Sequence, residues 1–400
     1  PPPDFGGRDS SGTISIPSPD IGGDRVGEIG RHCFDTALDR APVHALNSVM
    51  VERADLNVLC WEGYEDPRVV DPLTERHGYS VRAETIVSDA DTAARAAGPE
   101  KSSWDIVNLN NPFAREVLYP DGVIRTLPQD RFGPEYNRLL PQFESLYEWT
   151  RSRDGNDIVG VCQRFGPFNI VINEDRIARR TAESDGFRMA DDPALANLYG
   201  VLEYDDFNIF HICYAAGLNP FTELGSDDLN EFESKARQWF VGAAIVTSDH
   251  IEMNRGLVDG TIDFYLSGGM YTASPARRDG HRNIVAITPR TGPVDGKGAI
   301  VFIEVTSVID HGHEAAPALR FLEHILSADI APAVAFTRGS CNPITQMGDP
   351  KVFEQFSADQ LDILQWDSLE EDVAHCIPYQ IPPNHAELLR RLRAAKSSAG

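Results

Sequence analysis

The sequence contains no run of about 18 apolar residues, the length that a helix needs to cross a bilayer, so we expect no transmembrane helix. Basic residues are also scarce, because 36 Lys and Arg stand against 61 Asp and Glu and leave a net charge of −25 at pH 7. This deficit argues against nucleic acid as a partner, since its binding depends on neutralising phosphates with Lys and Arg. It favours cationic ligands over anionic ones, although an acidic surface also simply keeps a protein soluble.

Several enzyme signatures are missing as well. The sequence has no Gly-x-Ser-x-Gly elbow, no phosphate-binding loop and no helix with two zinc-binding histidines. His311 and His313 could bind a metal, but a pair at the start of a helix more often has no such role. We therefore predict no catalytic residues, no metal and no cofactor.

Cysteines are too few for a disulfide scaffold, and we expect most of them to be buried thiols. They are Cys33, Cys60, Cys162, Cys213, Cys341 and Cys376. The chain starts at Pro1 without the pattern of a secretory signal, so the residues alone leave the compartment open.

The length of 400 residues predicts two domains with some chain left over. Residues 1–54 are interrupted by Pro and Gly and predict a partly disordered tail, in which Cys33–Leu46 could form a helix. Beyond the tail, strand and helix patterns alternate. This order predicts an α/β fold with parallel strands and right-handed crossovers.

The strand Leu56–Cys60 is apolar on both faces and runs directly into Trp61, Glu62 and Tyr64. Because open α/β sheets bind ligands at the carboxyl ends of their strands, we expect these side chains to face a ligand. The alternative is that the rings only cover the core. Further strands are predicted at Val81–Ile86 and Trp104–Asn108.

Other polar residues follow later strands, and each has a structural alternative. Asn110 and Asn111 lie after the third strand, where they could also form a turn before Pro112. Asp205 could bind a ligand or cap the helix that follows it. Ser248 and Tyr271 come after two further apolar stretches, 238–246 and 261–266.

Two charged residues lie in apolar surroundings. Arg164 belongs to a short segment between the predicted strands Val159–Cys162 and Phe168–Asn173. Glu304 interrupts the long apolar strand Ala299–Ile309, so it lies either on a solvated face or in a cleft. In a cleft it would be desolvated and would need a cationic partner.

The order and spacing of several short motifs make the chain from about Leu56 to Leu392 resemble the periplasmic spermidine/putrescine-binding proteins, the solute-binding components of ABC importers. The motifs are Leu56-x-Val58-x-x-Trp61-Glu62-x-Tyr64, Trp104-Asp105-Ile106-Val107, Leu202-x-x-Asp205-Asp206, Gly298-Ala299-Ile300-x-Phe302-x-Glu304, Phe321-Leu322-x-x-Ile325-Leu326 and Gly339-x-x-Asn342-Pro343.

The resemblance implies a two-lobed, type II periplasmic-binding-protein fold that closes on a ligand between its lobes. We expect lobe 1 to comprise residues 55–158 and 304–345, and lobe 2 residues 159–303 and 346–400. It further implies a monomer in the periplasm whose partners are a small amine and an importer permease. Aromatic rings, here Trp61 and Tyr64, would sandwich the ligand, and Asp205 with Glu304 would hold ammonium groups.

The sequence departs from the family pattern at several positions. Asn208 stands where relatives often carry a second acidic residue, Phe302 matches an aromatic position, and Ser340 replaces a usual tyrosine. A tryptophan expected near Leu266 is absent. A shorter amine, or a zwitterion held partly by Arg164, is therefore as plausible a ligand as spermidine.

Two other functions remain open at this stage. The thiamine-cleaving enzymes share the fold and use a cleft cysteine with a carboxylate base, for which Cys60 and Glu304 are the candidates. Cys60, however, has the pattern of an inward strand residue, which disfavours a reactive thiolate. A stand-alone ligand sensor would have the same binding site and no importer.

Overall fold

The structure is a computed structural model that describes residues 55–140 and 147–399. The predicted tail, residues 1–54 with the candidate helix Cys33–Leu46, lies outside the described residues. Within the described ranges, no helix combines the length and the apolar character that a membrane span requires.

The first part of the chain alternates strands and helices, as predicted. Its elements are β1 (Leu56–Cys60), α1 (Pro67–His77), β2 (Val81–Thr85), α2 (Asp89–Ala97) and β3 (Ile106–Asn110). Strand β1 pairs in parallel with both β2 and β3, which confirms the βαβαβ order. Helix α1 begins where the Asp66 carboxylate accepts the Arg68 N–H, and it ends at Gly78, whose φ of 72° suits glycine. Strand β3 runs two residues beyond the predicted Asn108 and so includes Asn110.

The middle of the chain provides most of the remaining sheet. Its elements are α3 (Gln129–Phe132), β4 (Val161–Asn173), α4 (Arg179–Asp185), β5 (Tyr199–Leu202), α5 (Asp205–Ala215), α6 (Ser226–Gly242), β6 (Ile245–Thr247), α7 (His250–Asp259), β7 (Phe264–Gly269), α8 (Met270–Arg278) and β8 (Ile284–Ile287). The prediction of two strands around residues 164–167 was wrong, because β4 is one continuous strand. The apolar stretch 238–246 divides between the end of α6 and the start of β6.

The last part of the chain returns to the centre of the sheet and then forms a series of helices. Its elements are β9 (Ala299–Val308), α9 (Ala316–Leu326), α10 (Ala331–Ala335), α11 (Pro350–Phe353), α12 (Ala358–Ile363), α13 (Trp366–Ala374), β10 (Cys376–Pro378) and α14 (His385–Ala399). The helix predicted from His311 begins only at Ala316. The chain first turns at Gly312, whose φ is 72°, and Pro317 then lies in the first turn of the helix.

Within the described residues, ten strands form one hydrogen-bonded sheet. The main path runs β2-β1-β3-β9-β4-β7-β5-β6, while β10 pairs with β9 and β8 with β4. Strands β4 and β9 are antiparallel at the centre, and each flank is a parallel group, β2-β1-β3 on one side and β7-β5-β6 on the other. Two parallel groups joined by long central strands bring two sets of strand ends close to each other.

Arg164 lies at an irregularity in the central pair. Cys162 pairs with Val305 and Phe165 pairs with Ile303, so β4 has one more residue than β9 over this interval. Such a bulge redirects a side chain that regular pleating would place elsewhere. Arg164 also bridges to Ile344, in the turn that precedes α11.

Candidate ligand-binding site

A cavity of about 520 Å³ lies where the carboxyl ends of both parallel groups meet. This volume is within the range of about 300 to 1,000 Å³ that is usual for small-molecule sites. The lining residues are Trp61, Glu62, Thr85, Ile86, Val87, Asn110, Arg164, Phe168, Glu203, Tyr204, Phe207, Ser248, Asp249, His250, Tyr271, Phe302, Glu304, Ser340 and Asn342.

A buried ion pair lies at the base of the cavity. The Arg164 Nε donates to Glu304 Oε2 over 2.9 Å, and the Tyr64 hydroxyl donates to the same oxygen over 3.1 Å. Arg164 is 1% exposed and Glu304 is 6% exposed. The guanidinium carbon lies 4.8 Å from the centre of the Tyr64 ring, a cation–π distance. The cationic partner that a cleft-facing Glu304 was predicted to need is therefore Arg164.

Burial and charge act in opposite directions on this pair. Burial raises the pKa of the Glu304 carboxyl above its usual value, and the adjacent Arg164 opposes that rise. Burial alone would lower the pKa of Arg164, but Glu304 raises it. The guanidinium is therefore charged at any working pH. Breaking such a pair by removing one partner is costly, because the other charge stays buried.

A second buried carboxylate, Asp89, organises one side of the cavity. Asp89 Oδ1 accepts the Trp61 indole N–H over 3.1 Å and the Asn110 backbone N–H over 3.0 Å. Asp89 Oδ2 accepts the Asn110 side-chain amide over 2.7 Å. Burial raises the pKa of Asp89 to about 7, although these hydrogen bonds oppose the rise.

Because the Asn110 NH₂ group donates a hydrogen bond to Asp89, the orientation of the Asn110 amide is fixed. Asn110 Oδ1 is buried and has no hydrogen-bond partner among the described residues. A buried acceptor without a donor is costly. Asn110 lines the cavity, so a donor on a bound ligand would satisfy this oxygen.

Aromatic rings form another wall of the cavity. The Phe168 ring centre lies 3.9 Å from that of Phe207 and 4.9 Å from that of Phe302. Tyr271 meets Phe302 edge to face at 5.7 Å, and Tyr204 lies 5.4 Å from Phe207. The Tyr271 hydroxyl is buried without a hydrogen-bond partner in the part of the chain that the structure describes. This wall suits methylene groups, and its ring faces also suit cations.

The rim of the cavity is acidic. Glu203 lies 3.5 Å from the Lys396 ammonium, and Asp249 caps α7 by accepting the backbone N–H of Ile251. Glu62 has no hydrogen bond or ion pair with any described residue, although it is half-buried. Carboxylates therefore outnumber the single guanidinium among the lining residues, and the balance favours a cationic group on a ligand.

One hydrogen bond crosses the rim. His250, at the start of α7, is hydrogen-bonded through Nε2 to the Gly339 carbonyl oxygen over 3.0 Å. Arg278 donates to the neighbouring carbonyls of Thr337 and Arg338. These contacts hold the loop that follows α10 against helices from the middle of the chain.

The cavity brings together most of the residues that the sequence indicated as ligand-binding. They are Trp61, Glu62, Asn110, Arg164, Ser248, Tyr271, Phe302, Glu304 and Ser340. Four others do not line it, namely Tyr64, Asn111, Asp205 and Asn208. Whether each of these side chains contacts a ligand remains a prediction.

The four outlying residues have other surroundings. Tyr64 lies beneath Arg164, because Gly63, with φ of 105°, turns the chain inward. Asn208 donates to the Leu202 carbonyl and accepts from Ser267, and Asp205 pairs with Lys396 on α14. Asn111 is buried.

Several lining residues were missed by the sequence analysis. They are Thr85, Ile86, Val87, Phe168, Glu203, Tyr204, Phe207, Asp249, His250 and Asn342. Many of them directly follow β2, β5 or β6, so the rule that parallel strands present ligands at their carboxyl ends could have identified them. Asp89 was missed because an acid in the first turn of a helix usually has only a capping role.

The cysteine and histidine candidates lie away from the cavity. Cys60 is fully buried and does not line it, and burial raises the pKa of its thiol. His311 and His313 stack on each other at 5.7 Å, and His311 is hydrogen-bonded to the Trp104 carbonyl oxygen. Among the described residues, no group of three or more His, Cys, Asp or Glu is arranged to hold a metal ion.

Solved structures with the same fold are numerous. A Listeria monocytogenes protein whose name assigns it to a spermidine/putrescine ABC transporter is 13% identical, with a TM-score of 0.63 over 86% of this chain and 98% of its own. The spermidine/putrescine-binding protein PotD of Streptococcus pneumoniae is 13% identical, with a TM-score of 0.59 over 85% and 99%. The periplasmic binding protein MotA of A. tumefaciens B6, solved with glucopine, is 14% identical, with a TM-score of 0.57 over 86% and 98%.

No protein-family model and no curated protein matches this chain. At this level of identity the structural likeness establishes the fold. The chain has the two-lobed α/β fold of periplasmic binding proteins, as the sequence motifs predicted.

Proposed function

We propose that this protein is the solute-binding component of an ABC importer and binds a small amine, either a polyamine or an amino-acid-like zwitterion, in the cavity between its two parallel strand groups. The observation that carries the proposal is a buried acceptor without a donor in an aromatic-walled cavity with an acidic rim. Asn110 Oδ1 has no donor among the described residues, and the half-buried carboxylate of Glu62 lies at the rim.

An ammonium group fits this arrangement because it offers three N–H donors and a positive charge. It could donate to Asn110 Oδ1 within the cavity, while the rim carboxylates Glu62 and Asp249 attract it electrostatically. The ring faces of Phe168 and Phe302 cover its methylene groups. Each charge-assisted hydrogen bond would contribute about 1.5 to 3 kcal/mol where water is excluded.

The fold supports the role in import. Similar structures include one protein named as the substrate-binding protein of a spermidine/putrescine ABC transporter, and one binding protein solved with glucopine. We propose lobe 1 at residues 55–158 and 304–345 and lobe 2 at residues 159–303 and 346–400, so that the chain crosses between the lobes near Val159, Ile303 and Pro343. By the same likeness we propose a monomer in the periplasm that docks on a permease.

The surroundings of Cys60 and Glu304 argue against a thiol mechanism. Cys60 has no access to the cavity, and a thiol whose pKa is raised by burial supplies little thiolate at neutral pH. Glu304 is already engaged by Arg164 and Tyr64, so it is poorly placed to act as a free base.

A ligand screen tests the proposal. The full chain is tested in a thermal-shift screen against polyamines, amino acids and dicarboxylates, and hits are measured by calorimetry. We expect amine-bearing compounds to raise the melting temperature. Glu62→Gln should weaken their binding by about fivefold, since a half-buried ion pair contributes about 1 kcal/mol.

The matched control is Glu75→Gln, because Glu75 is exposed on α1 and does not line the cavity. That variant should bind as the unmodified protein does. Stabilisation by dicarboxylates alone, or an equal loss in both variants, would contradict the proposal.

A further inference from the structure

We propose that the bound amine also carries a carboxylate close to its ammonium group, as an α-amino acid does, and that Arg164 binds this carboxylate. The inference rests on the proposed amine-binding function and narrows its substrate class. The observation behind it is a buried guanidinium with unused donors at the base of the cavity.

Arg164 uses only one of its five N–H donors in a side-chain contact. Its Nε donates to Glu304, whereas neither Nη atom has a hydrogen-bond partner among the described residues. The residue is 1% exposed and lines the cavity. Two adjacent N–H groups of a guanidinium match the two oxygens of a carboxylate.

The guanidinium is held in place before any ligand arrives. The bulge at Arg164 directs the side chain, Glu304 fixes its Nε and the Tyr64 ring packs against its face at 4.8 Å. Gly63 also approaches the guanidinium closely, since a Cβ there would lie 3.1 Å from Arg164 Nη1. A fixed fork of donors is selective for planar anions.

The acceptors for the ammonium group lie next to this fork. Asn110 and Glu304 are directly opposite each other in the antiparallel register of β3 and β9, so their side chains emerge side by side. Asn110 Oδ1 lacks a donor among the described residues, and Glu304 contacts Arg164 directly. A ligand that satisfies both sets of groups carries its ammonium close to its carboxylate.

A polyamine would satisfy only half of this arrangement. Its ammonium groups could reach Asn110 and the rim, but they cannot accept hydrogen bonds from the Arg164 Nη atoms. An amino carboxylate satisfies both, and its side chain would then lie against the wall formed by Phe168 and Phe302.

The test compares α-amino acids with the amines that remain when the carboxylate is removed, such as ornithine with putrescine and lysine with cadaverine. Calorimetry on the full chain should give an affinity about ten- to a hundredfold higher for the better-binding amino acid than for its amine. Arg164→Lys keeps the charge but loses the fork, and we expect it to reduce that ratio to within about threefold.

The control is Arg277→Gln, which also removes a buried arginine, but one that donates to the Ile363 and Ile284 carbonyls away from the cavity. It should leave the ratio unchanged even if it lowers stability. If Arg164→Lys does not fold, the inference is tested by comparing the affinities of amino acids and their amines for the unmodified protein alone.

Two outcomes overturn the inference. The first is that amines bind as tightly as their parent amino acids, and the second is that a preference for amino acids persists in Arg164→Lys. Either outcome refutes the inference and leaves the proposed function intact. If neither amino acids nor amines bind, the proposed function itself fails.

Discussion

Replacing Asp89 by asparagine should weaken amine binding although Asp89 does not line the cavity. Asp89 accepts three hydrogen bonds, one from the Trp61 indole and two from Asn110. An asparagine at this position would offer one oxygen and one NH₂ group. The NH₂ group would face the Asn110 amide nitrogen, so two donors would meet unless the Asn110 amide turns over.

The expected loss of amine affinity follows from this rotation of the Asn110 amide. A turned Asn110 amide presents its NH₂ group to the cavity, where a ligand ammonium would meet a donor instead of Oδ1. Loss of one charge-assisted hydrogen bond costs about 1.5 to 3 kcal/mol, so the dissociation constant should rise about ten- to a hundredfold. Protonation of Asp89 has the same consequence, because one carboxyl oxygen becomes a donor.

Binding should therefore depend on pH in the unmodified protein. The pKa of Asp89 is raised to about 7 by burial, and the proposed contact of the ammonium group with Asn110 Oδ1 depends on the ionised form. As the pH falls below about 7, the dissociation constant should rise by up to about tenfold per unit. Asp206 on α5, which is hydrogen-bonded to His385 of α14, also raises the pKa of Asp89 through its negative charge.

Calorimetry between pH 5.5 and 8 on the unmodified protein and on Asp89→Asn measures both effects. Asp91→Asn is the control, since Asp91 lies in the same first turn of α2 but is exposed. We expect a pH-dependent affinity in the unmodified protein and in the control, and a weak, flat profile in Asp89→Asn. Full affinity in Asp89→Asn would refute the reasoning, and so would a pH profile that persists in that variant.

Three further predictions concern the same region. Trp61→Ala should weaken amine binding about tenfold through lost ring contact, while Trp61→Phe, which lacks only the N–H bonded to Asp89, should lose less; equal losses in calorimetry would contradict a role for the ring. Cys60 should react with thiol reagents only at the rate of unfolding, followed by mass spectrometry of labelled peptides, because it is buried and its pKa is raised; rapid labelling of the native protein would contradict this. The pKa of Asp89 is higher in the folded than in the unfolded chain, so folding favours the protonated form, and the protein should lose stability as the pH rises from about 4 to about 7. In denaturant unfolding, the loss relative to Asp89→Asn should be on the order of 4 kcal/mol. A difference in stability that does not change with pH would contradict the burial argument.

Local patterns in the sequence predicted the elements that hold the site. The apolar run Leu56–Cys60 forms a strand with those bounds, and Trp61 and Asn110 both lie at the predicted edge of the sheet. A buried strand needs apolar residues on both faces, and a parallel sheet places its strand ends on one side. These two constraints act over a few residues, so a single sequence reveals them.

Long-range pairing could not be predicted in the same way. Asp205 has the pattern of a ligand carboxylate, yet Lys396 from the last helix pairs with it. Asp89 has the pattern of an ordinary first-turn acid, and only the folding of β3 against α2 buries it beneath Trp61. In both cases the partner is distant in the sequence, and no local period encodes the contact.

Binding of a small amine through Asn110 and the acidic rim can be observed in a crystal structure of the protein with the best-binding amine from the screen. We expect an ammonium nitrogen within hydrogen-bond distance of Asn110 Oδ1, with the carbon chain against Phe168 and Phe302. An amine bound outside this cavity, or one whose ammonium group makes no contact with Asn110 or with a lining carboxylate, would contradict it.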